Sequence, residues 1–380
     1  MARLARAEVF AADEIAIVHV MNRTVRRCFL FGVDNVSGKN YDHRKQWIDD
    51  QLTQQAMHFG IDLLSYAILD NHFHVLLRSR PDVVKQWSDT EVARRWLMLC
   101  PKRRDAQRRP LEPTEFEINR IVNNSEKLAT LRNRLSDISW WMRLLCQNIA
   151  QRANREDGEI GKFFQARYRA VRILDDTATL ACSAYIDLNL VRAGMARTID
   201  NSEHTSAQLR ARDLQTQEVS SPSASVVDNG GLIAGGFRDE SRQSAPVNRD
   251  FSRHLSPVEL QELTTRPGPD AHFGGHRCSN KGFLPMSLEK YLDLLDWTAR
   301  QIVHEASEST PLHAVPLFHQ LGLNNKTWIA LIRDFGRLFS LVAGKPHRIE
   351  EYRPARRADS TPANHRYRVR WQLRELFSRP

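Results

Sequence analysis

The side chains best suited to chemistry lie in two short segments. In Asn71-His72-Phe73-His74-Val75-Leu76-Leu77, two imidazoles stand two residues apart. Alternate side chains of a strand share a face, so His72 and His74 project together while Phe73 and Val75 turn the other way. Two neighbouring imidazoles are a ready divalent-metal pair. The same alternation also describes the polar face of a half-buried strand, and these residues alone leave both readings open. A histidine-triad hydrolase would need a third histidine where Leu76 stands, and the HExxH zinc pattern is absent. In Tyr185-Ile186-Asp187-Leu188-Asn189, a phenol and an amide are four residues apart, one above the other on a helix. A tyrosine can act as a covalent nucleophile, and an asparagine offers a hard oxygen to a metal. A tyrosine packed in a core with its hydroxyl satisfied fits the same letters.

The elements that must position these groups can be read from periodicity. Ile15 to Val20 is a β-branched run expected as a strand, and Asp42 to Phe59 carries apolar residues at helical spacing. Leu63–Leu69 and His72–Arg78 are two β-prone runs divided by Asp70-Asn71, the pattern of a hairpin. The chain then turns helical and charged, with a basic loop over Lys102–Pro110 and an amphipathic helix over Ile138–Arg155. Tyr168 to Leu174 is a further expected strand. Asp175-Asp176-Thr177 supplies N-cap residues for a helix running to about Arg192, which Gly194 stops.

Taken together, the two segments resemble the REP-associated tyrosine transposases, a branch of the single-tyrosine HUH (IS200-like) transposase family. The likeness extends to Val18-His19-Val20-Met21-Asn22-Arg23, similar to the family's "H-V-x-N-R" turn. Tyr66-Ala67-Ile68-Leu69-Asp70-Asn71-His72 resembles its approach to the histidine strand, and Gly161-Lys162-Phe163-Phe164-Gln165-Ala166-Arg167-Tyr168 its "G-x-[WF]-x-x-R-[YF]" segment. The most specific match is Tyr185 to Gly194 against "Y-I-D-L-N-P-V-R-A-G", with Leu190 where the family usually has proline. That exchange should extend the helix. The resemblance spans roughly residues 10–200.

It implies an α+β fold: a ferredoxin-like antiparallel sheet with packed helices, His72 and His74 on a central strand and the Tyr185 helix across it. It implies that His72, His74 and Asn189 bind Mg²⁺ or Mn²⁺ and that Tyr185 attacks phosphorus, leaving a 5′-phosphotyrosine and a free 3′-OH. The partner implied is single-stranded or hairpin DNA, and both monomer and homodimer remain open. Expected DNA contacts are Arg23, Arg26, Arg27, Arg167 and Arg169, with Tyr168 as a base-stacking face. A phenol's ordinary pKa near 10 makes its phenolate cost about 4 kcal/mol at neutrality, and the sequence identifies no general base. Two other readings remain: a catalytically silent, domesticated DNA-binding protein of the same fold, and a phosphodiesterase that uses water.

Composition sets the frame. The formal net charge is +10, which suits a polyanionic partner. No apolar run approaches a membrane span and no signal peptide is evident. The five cysteines are scattered without a CxxC pair, so a reducing cytoplasm is expected. His272-Phe273-Gly274-Gly275-His276-Arg277-Cys278 offers at most three ligands, short of the four a structural zinc wants. The expected organisation is a catalytic domain over 1–200 with a helical insertion around 80–160, and a linker, expected to be disordered, over 201–280. A small helical domain over 281–345 and an Arg-rich tail over 346–380 follow. On that division, a fragment ending near Thr198 should fold by itself.

Overall fold

The computed structural model describes residues 13–220, 251–260, 275–304, 309–355 and 369–378. Gly230-Gly231, His272 to Gly274 and the tail arginines Arg356, Arg357, Arg366 and Arg368 lie outside the described residues.

A five-stranded sheet organises the mixed α+β chain. Its strands are β1 (Ile17–Arg23), β2 (Ile61–Ile68), β3 (His72–Ser79), β4 (Arg169–Ile173) and β5 (Val342–Ala343). Their spatial order is β2-β3-β1-β4-β5, antiparallel except for the parallel β4–β5 pair. Helix α1 (His43–His58) joins β1 to β2, and β2 turns directly into β3. The expected hairpin is present, closed by the Leu69 amide on the His72 carbonyl at 2.9 Å.

Between β3 and β4 stand α2 (Pro81–Gln86), α3 (Asp89–Leu99), α4 (Glu115–Val122), α5 (Ser125–Leu135) and α6 (Ile138–Asp157). The amphipathic pattern of α6 is realised, with Trp141, Leu144, Leu145 and Ile149 all buried. With Ile48 and Leu52 of α1 they cover the sheet face that presents Phe73, Val75 and Leu77. Phe59 packs its ring 5.3 Å from that of Trp141.

The opposite face is covered by α7 (Asp176–Asp187), with Leu180, Ala181 and Ala184 packed against Leu76 and Val171. Asp175 caps α7 as expected, accepting the Ala178 amide at 2.8 Å. The helix does not run unbroken to Arg192. Leu188 takes φ −93°, ψ 9°, and a separate short turn, α8 (Asn189–Arg192), follows. The expectation that Leu190 lengthens the helix therefore fails, because the tightening occurs two residues earlier. Gly194, at φ +70°, provides the expected stop in the left-handed region that glycine enters without strain.

The C-terminal half departs furthest from expectation. Where a linker was expected from 201, α9 (Ser206–Ser220) forms, and the Ser206 hydroxyl accepts the Tyr66 amide of β2 at 2.9 Å. Then come α10 (Leu288–His304), α11 (Ala314–Leu321), α12 (Asn325–Leu338), α13 (Pro346–Ala355) and α14 (Trp371–Ser378). Tyr291, Leu294, Trp328, Leu331 and Phe335 belong to the same continuous apolar cluster as Leu64, Leu76 and Leu180. Asp175 joins the halves with its second oxygen, which accepts the Lys345 amide at 2.6 Å. The apolar stripes of α10 and α12 therefore pack on one another and also join the layer on the sheet.

A chain stopped after Thr198 is thus expected to lose cooperative unfolding and to bind a hydrophobic dye, since the outer face of α7 would be stripped. A soluble fragment with a sharp thermal transition would show that the first half stands alone.

Candidate active site

Strand pairing decides which side chains meet. Antiparallel register sets His19 opposite Leu76, Met21 opposite His74 and Arg23 opposite His72, with Val171 and Arg169 opposite His19 and Met21 from β4. Directly opposed residues share a face. His19, Arg23, His72, His74 and Arg169 therefore all project toward α7.

His72 and His74 stand together, ring centroids 5.1 Å apart. Tyr185 presents its ring to His74 at 5.6 Å, interplanar angle 83°, and to His19 at 6.0 Å. The phenol and the histidine pair, separate in sequence, thus occupy one place in space. His19 was missed as a site residue. Its Nε2 lies 2.8 Å from His74 Nδ1 in a buried hydrogen bond, with the rings stacked. Strand alternation through Val18-His19-Val20 already put it on the face away from the valines.

Electrostatics keep these imidazoles neutral. Burial, reinforced by Arg169, pushes His19 down to about 3. Burial and then Arg23 lower His72 to about 4. Burial followed by the neighbouring His19 and His72 holds His74 well below the ordinary range. Neutral imidazole is the form that ligates a metal. Asn189 is 6% exposed at the start of α8, and its amide nitrogen is buried without a hydrogen-bond partner among the described residues. No bond at that atom holds the amide against turning its oxygen toward a cation. Among the described residues no group of three or more His, Cys, Asp or Glu side chains could hold a metal ion. A metal here would need the amide as a ligand, and the donor chemistry fits one.

The arginines expected to contact DNA separate into three groups. Arg23 is half-buried and close enough to Tyr185 for the phenol to oppose the depressing effects of burial and of Arg27 on its guanidinium. Arg26 and Arg27 are exposed in the turn after β1, both at positive φ, 51° and 62°. Arg167 is exposed, whereas Arg169 donates to the Phe339 carbonyl at 2.7 Å and thereby joins the sheet to the end of α12. Tyr168 is a correction. It is 6% exposed, packed in the α1–α6 layer with its hydroxyl 3.2 Å from Ser139, and offers no face to a base.

The C-terminal half adds neighbours of Tyr185 that no motif marks. Phe335 of α12 stacks on Tyr185 at 5.2 Å and 29°. A Cβ placed on Gly336 would lie 3.2 Å from the Tyr185 hydroxyl, so only glycine lets α12 approach that closely without displacing something. The space enclosed by His19, His74, Tyr185 and Phe335 is about 20 Å³, room for a single water. On its other side Tyr185 borders an open pocket of about 530 Å³ shared with Arg192. The Arg192 guanidinium lies 4.5 Å from the centre of the Tyr185 ring. Its position, seven residues after Tyr185, is a helical signal available in the sequence.

No protein-family model and no curated protein matches the chain. Among solved structures, a REP-associated tyrosine transposase bound to a REP hairpin is similar to it at 12% identity, over 63% of this chain and 99% of that one, with a TM-score of 0.32. A likeness at that level leaves the chemistry of this chain to its own residues.

Phe335→Ala is expected to lower stability by about 3 kcal/mol, because it empties a fully packed site between α7 and α12. Urea unfolding of the full chain measures this, and a loss under roughly 1 kcal/mol would mean that the stacked ring contributes little.

Proposed function

We propose that this chain is a transposase-type nuclease and strand transferase that nicks and rejoins single-stranded DNA through Tyr185. One observation carries the reading: the Tyr185 phenol stands against the His72/His74 pair on one sheet face. The β4-β1-β3-β2 order with α1 between β1 and β2 supports reading this sheet as a ferredoxin-like core.

In the proposed reaction Tyr185 Oη bonds to phosphorus as the bond to the 3′ oxygen breaks. The products are a 5′-phosphotyrosine and a free 3′-OH, and the adduct conserves the bond energy for rejoining. The phenol's proton leaves as Oη bonds, and the departing 3′ oxygen takes up a proton. Arg23 and Arg192 supply positive charge beside the phenol, where an incoming phosphate would carry negative charge. His72, His74 and Asn189 would hold Mg²⁺ or Mn²⁺. When bound, such a cation neutralises the non-bridging phosphate oxygens and so lessens repulsion against the nucleophile. His19 would act as a positioning residue. If its Nε2 accepts from His74 Nδ1, the His74 Nε2 lone pair is left free for the cation, the usual effect of an outer partner on a ligating histidine.

A second reading, a catalytically silent DNA-binding protein of this fold, draws on the Phe335 ring lying over Tyr185. Adduct formation separates the two. Incubated with single-stranded oligonucleotides from the flanks of its own gene, the wild type is expected to form a denaturation-resistant protein–DNA adduct. Tyr185→Phe is expected to form none while melting at nearly the wild-type temperature. Cleavage at the wild-type rate in Tyr185→Phe would overturn the covalent mechanism in favour of attack by water.

The metal site has its own readout. His72→Ala and His74→Ala should each abolish measurable Mn²⁺ binding by calorimetry, whereas His19→Ala should weaken it by about 10–100-fold. Unchanged Mn²⁺ affinity in all three would rule out this site.

A further inference from the structure

Helix α12 has two unlike faces. Trp328, Leu331, Ile332 and Phe335 are buried toward α7 and α10. On the other face Lys326, Ala330, Arg333 and Arg337 recur at intervals of three and four residues, a single stripe along about 16 Å of helix. A solvated polar face would show the same spacing. What distinguishes this stripe is where it runs.

Its Arg333 and Arg337 form, with Arg192, the walls of the open pocket of about 530 Å³ beside Tyr185. The same two arginines also line a groove of about 520 Å³ between α12 and α14, which Lys326 and Arg370 border as well. Pocket and groove share that wall, so cations continue from the tyrosine along the helix. Asp334 and Glu375 are the carboxylates on this path. Trp371, between the groove-lining Arg370 and Gln372, is 68% exposed.

We propose that this stripe is the track of the DNA single strand that Tyr185 cuts, with Arg192, Arg333 and Arg337 holding successive phosphates next to the scissile one. The proposal rests on the reading of Tyr185 as the nucleophile. The three arginines have different parts. Arg192 is fixed in advance, its guanidinium donating to the Arg333 carbonyl at 2.7 Å while lying over the Tyr185 ring. Arg333 and Arg337 are 66% and 87% exposed and, among the described residues, form ion pairs only with Asp334, at 3.3 and 3.6 Å. Exposed pairs of that kind are weak, so a phosphate, which guanidinium can engage through two parallel bonds, competes for them readily. Trp371 adds an aromatic face for an unstacked base, the other element of single-strand binding. A duplex presents no unstacked base to Trp371, and so a single strand is the occupant that the chemistry favours.

The test is fluorescence anisotropy of the full chain with a labelled single-stranded oligonucleotide across a salt series. Arg333→Ala/Arg337→Ala is expected to bind roughly tenfold more weakly at 0.15 M salt, and its log–log salt slope should fall by about 1.4, two phosphate contacts' worth. Both side chains are exposed, so the thermal midpoint should stay within error of wild type. Trp371→Ala should lose affinity with an unchanged slope. An unchanged slope in the double variant overturns the track, and so does equal competition by unlabelled duplex of the same length. Unchanged affinity in Trp371→Ala overturns the groove's share in it. The transposase reading fails separately: a wild type that forms no adduct yet shows the predicted slopes keeps the track and loses the nucleophile. Normal adduct formation in Arg333→Ala/Arg337→Ala with an unaltered slope does the reverse.

Discussion

The site depends on a carboxylate that has left water entirely. Asp187 sits two residues from Tyr185 with no exposed surface and accepts hydrogen bonds from Ser206 of α9 and from Tyr291 of α10, the latter at 2.6 Å. Burial raises its pKa, while Arg210, Ser206 and Tyr291 work against that rise. A buried acid that lost those partners would be costly, so the end of α7 is confined to the one location where α9 and α10 can reach it. That confinement presents the Tyr185 ring to His74. The tyrosine is placed by groups that never touch it.

His19 and His74 impose the same discipline on the sheet. A strand face bearing imidazoles is a poor core unless they stay neutral and bond to one another, and both conditions hold. The layer on top must then be apolar except where the chemistry lies. Phe335 meets that demand above the sheet's own Val171, and Gly336 makes room for the hydroxyl.

Much of this was legible in the sequence for local reasons. Alternation about His72 and His74, the Asp70-Asn71 turn, the Asp175 cap and the Gly194 stop each act over a few residues. Tyr168 was misjudged because an amphipathic ring has the same letter whether it stacks on a base or fills a core, and its neighbours on α6 are distant in sequence. The break at Leu188 comes where α7 ends beside Asp187, whose partners Ser206 and Tyr291 no local rule includes. The largest departure, α12 against α7 and α10 against α8 and α9 as well as against one another, has the same origin. An amphipathic stripe states that a face will be buried, not what will bury it.

Both margins of the sheet are already occupied. On the β4 side, the Arg172 and Leu174 amides donate to the Leu341 and Ala343 carbonyls at 2.8 and 2.9 Å, and the covering strand is only two residues long. On the β2 side, Ile68 donates to His204 and Leu63 accepts from Ser256, while Ser206 and Arg210 take the Tyr66 and Leu64 carbonyls. Open ladders are where chains aggregate or pair by strand addition. Here the linear run of unmet amides such pairing requires is taken up internally, by segments from beyond residue 200. The C-terminal half therefore also works as a guard against self-templating along the β2 and β4 ladders.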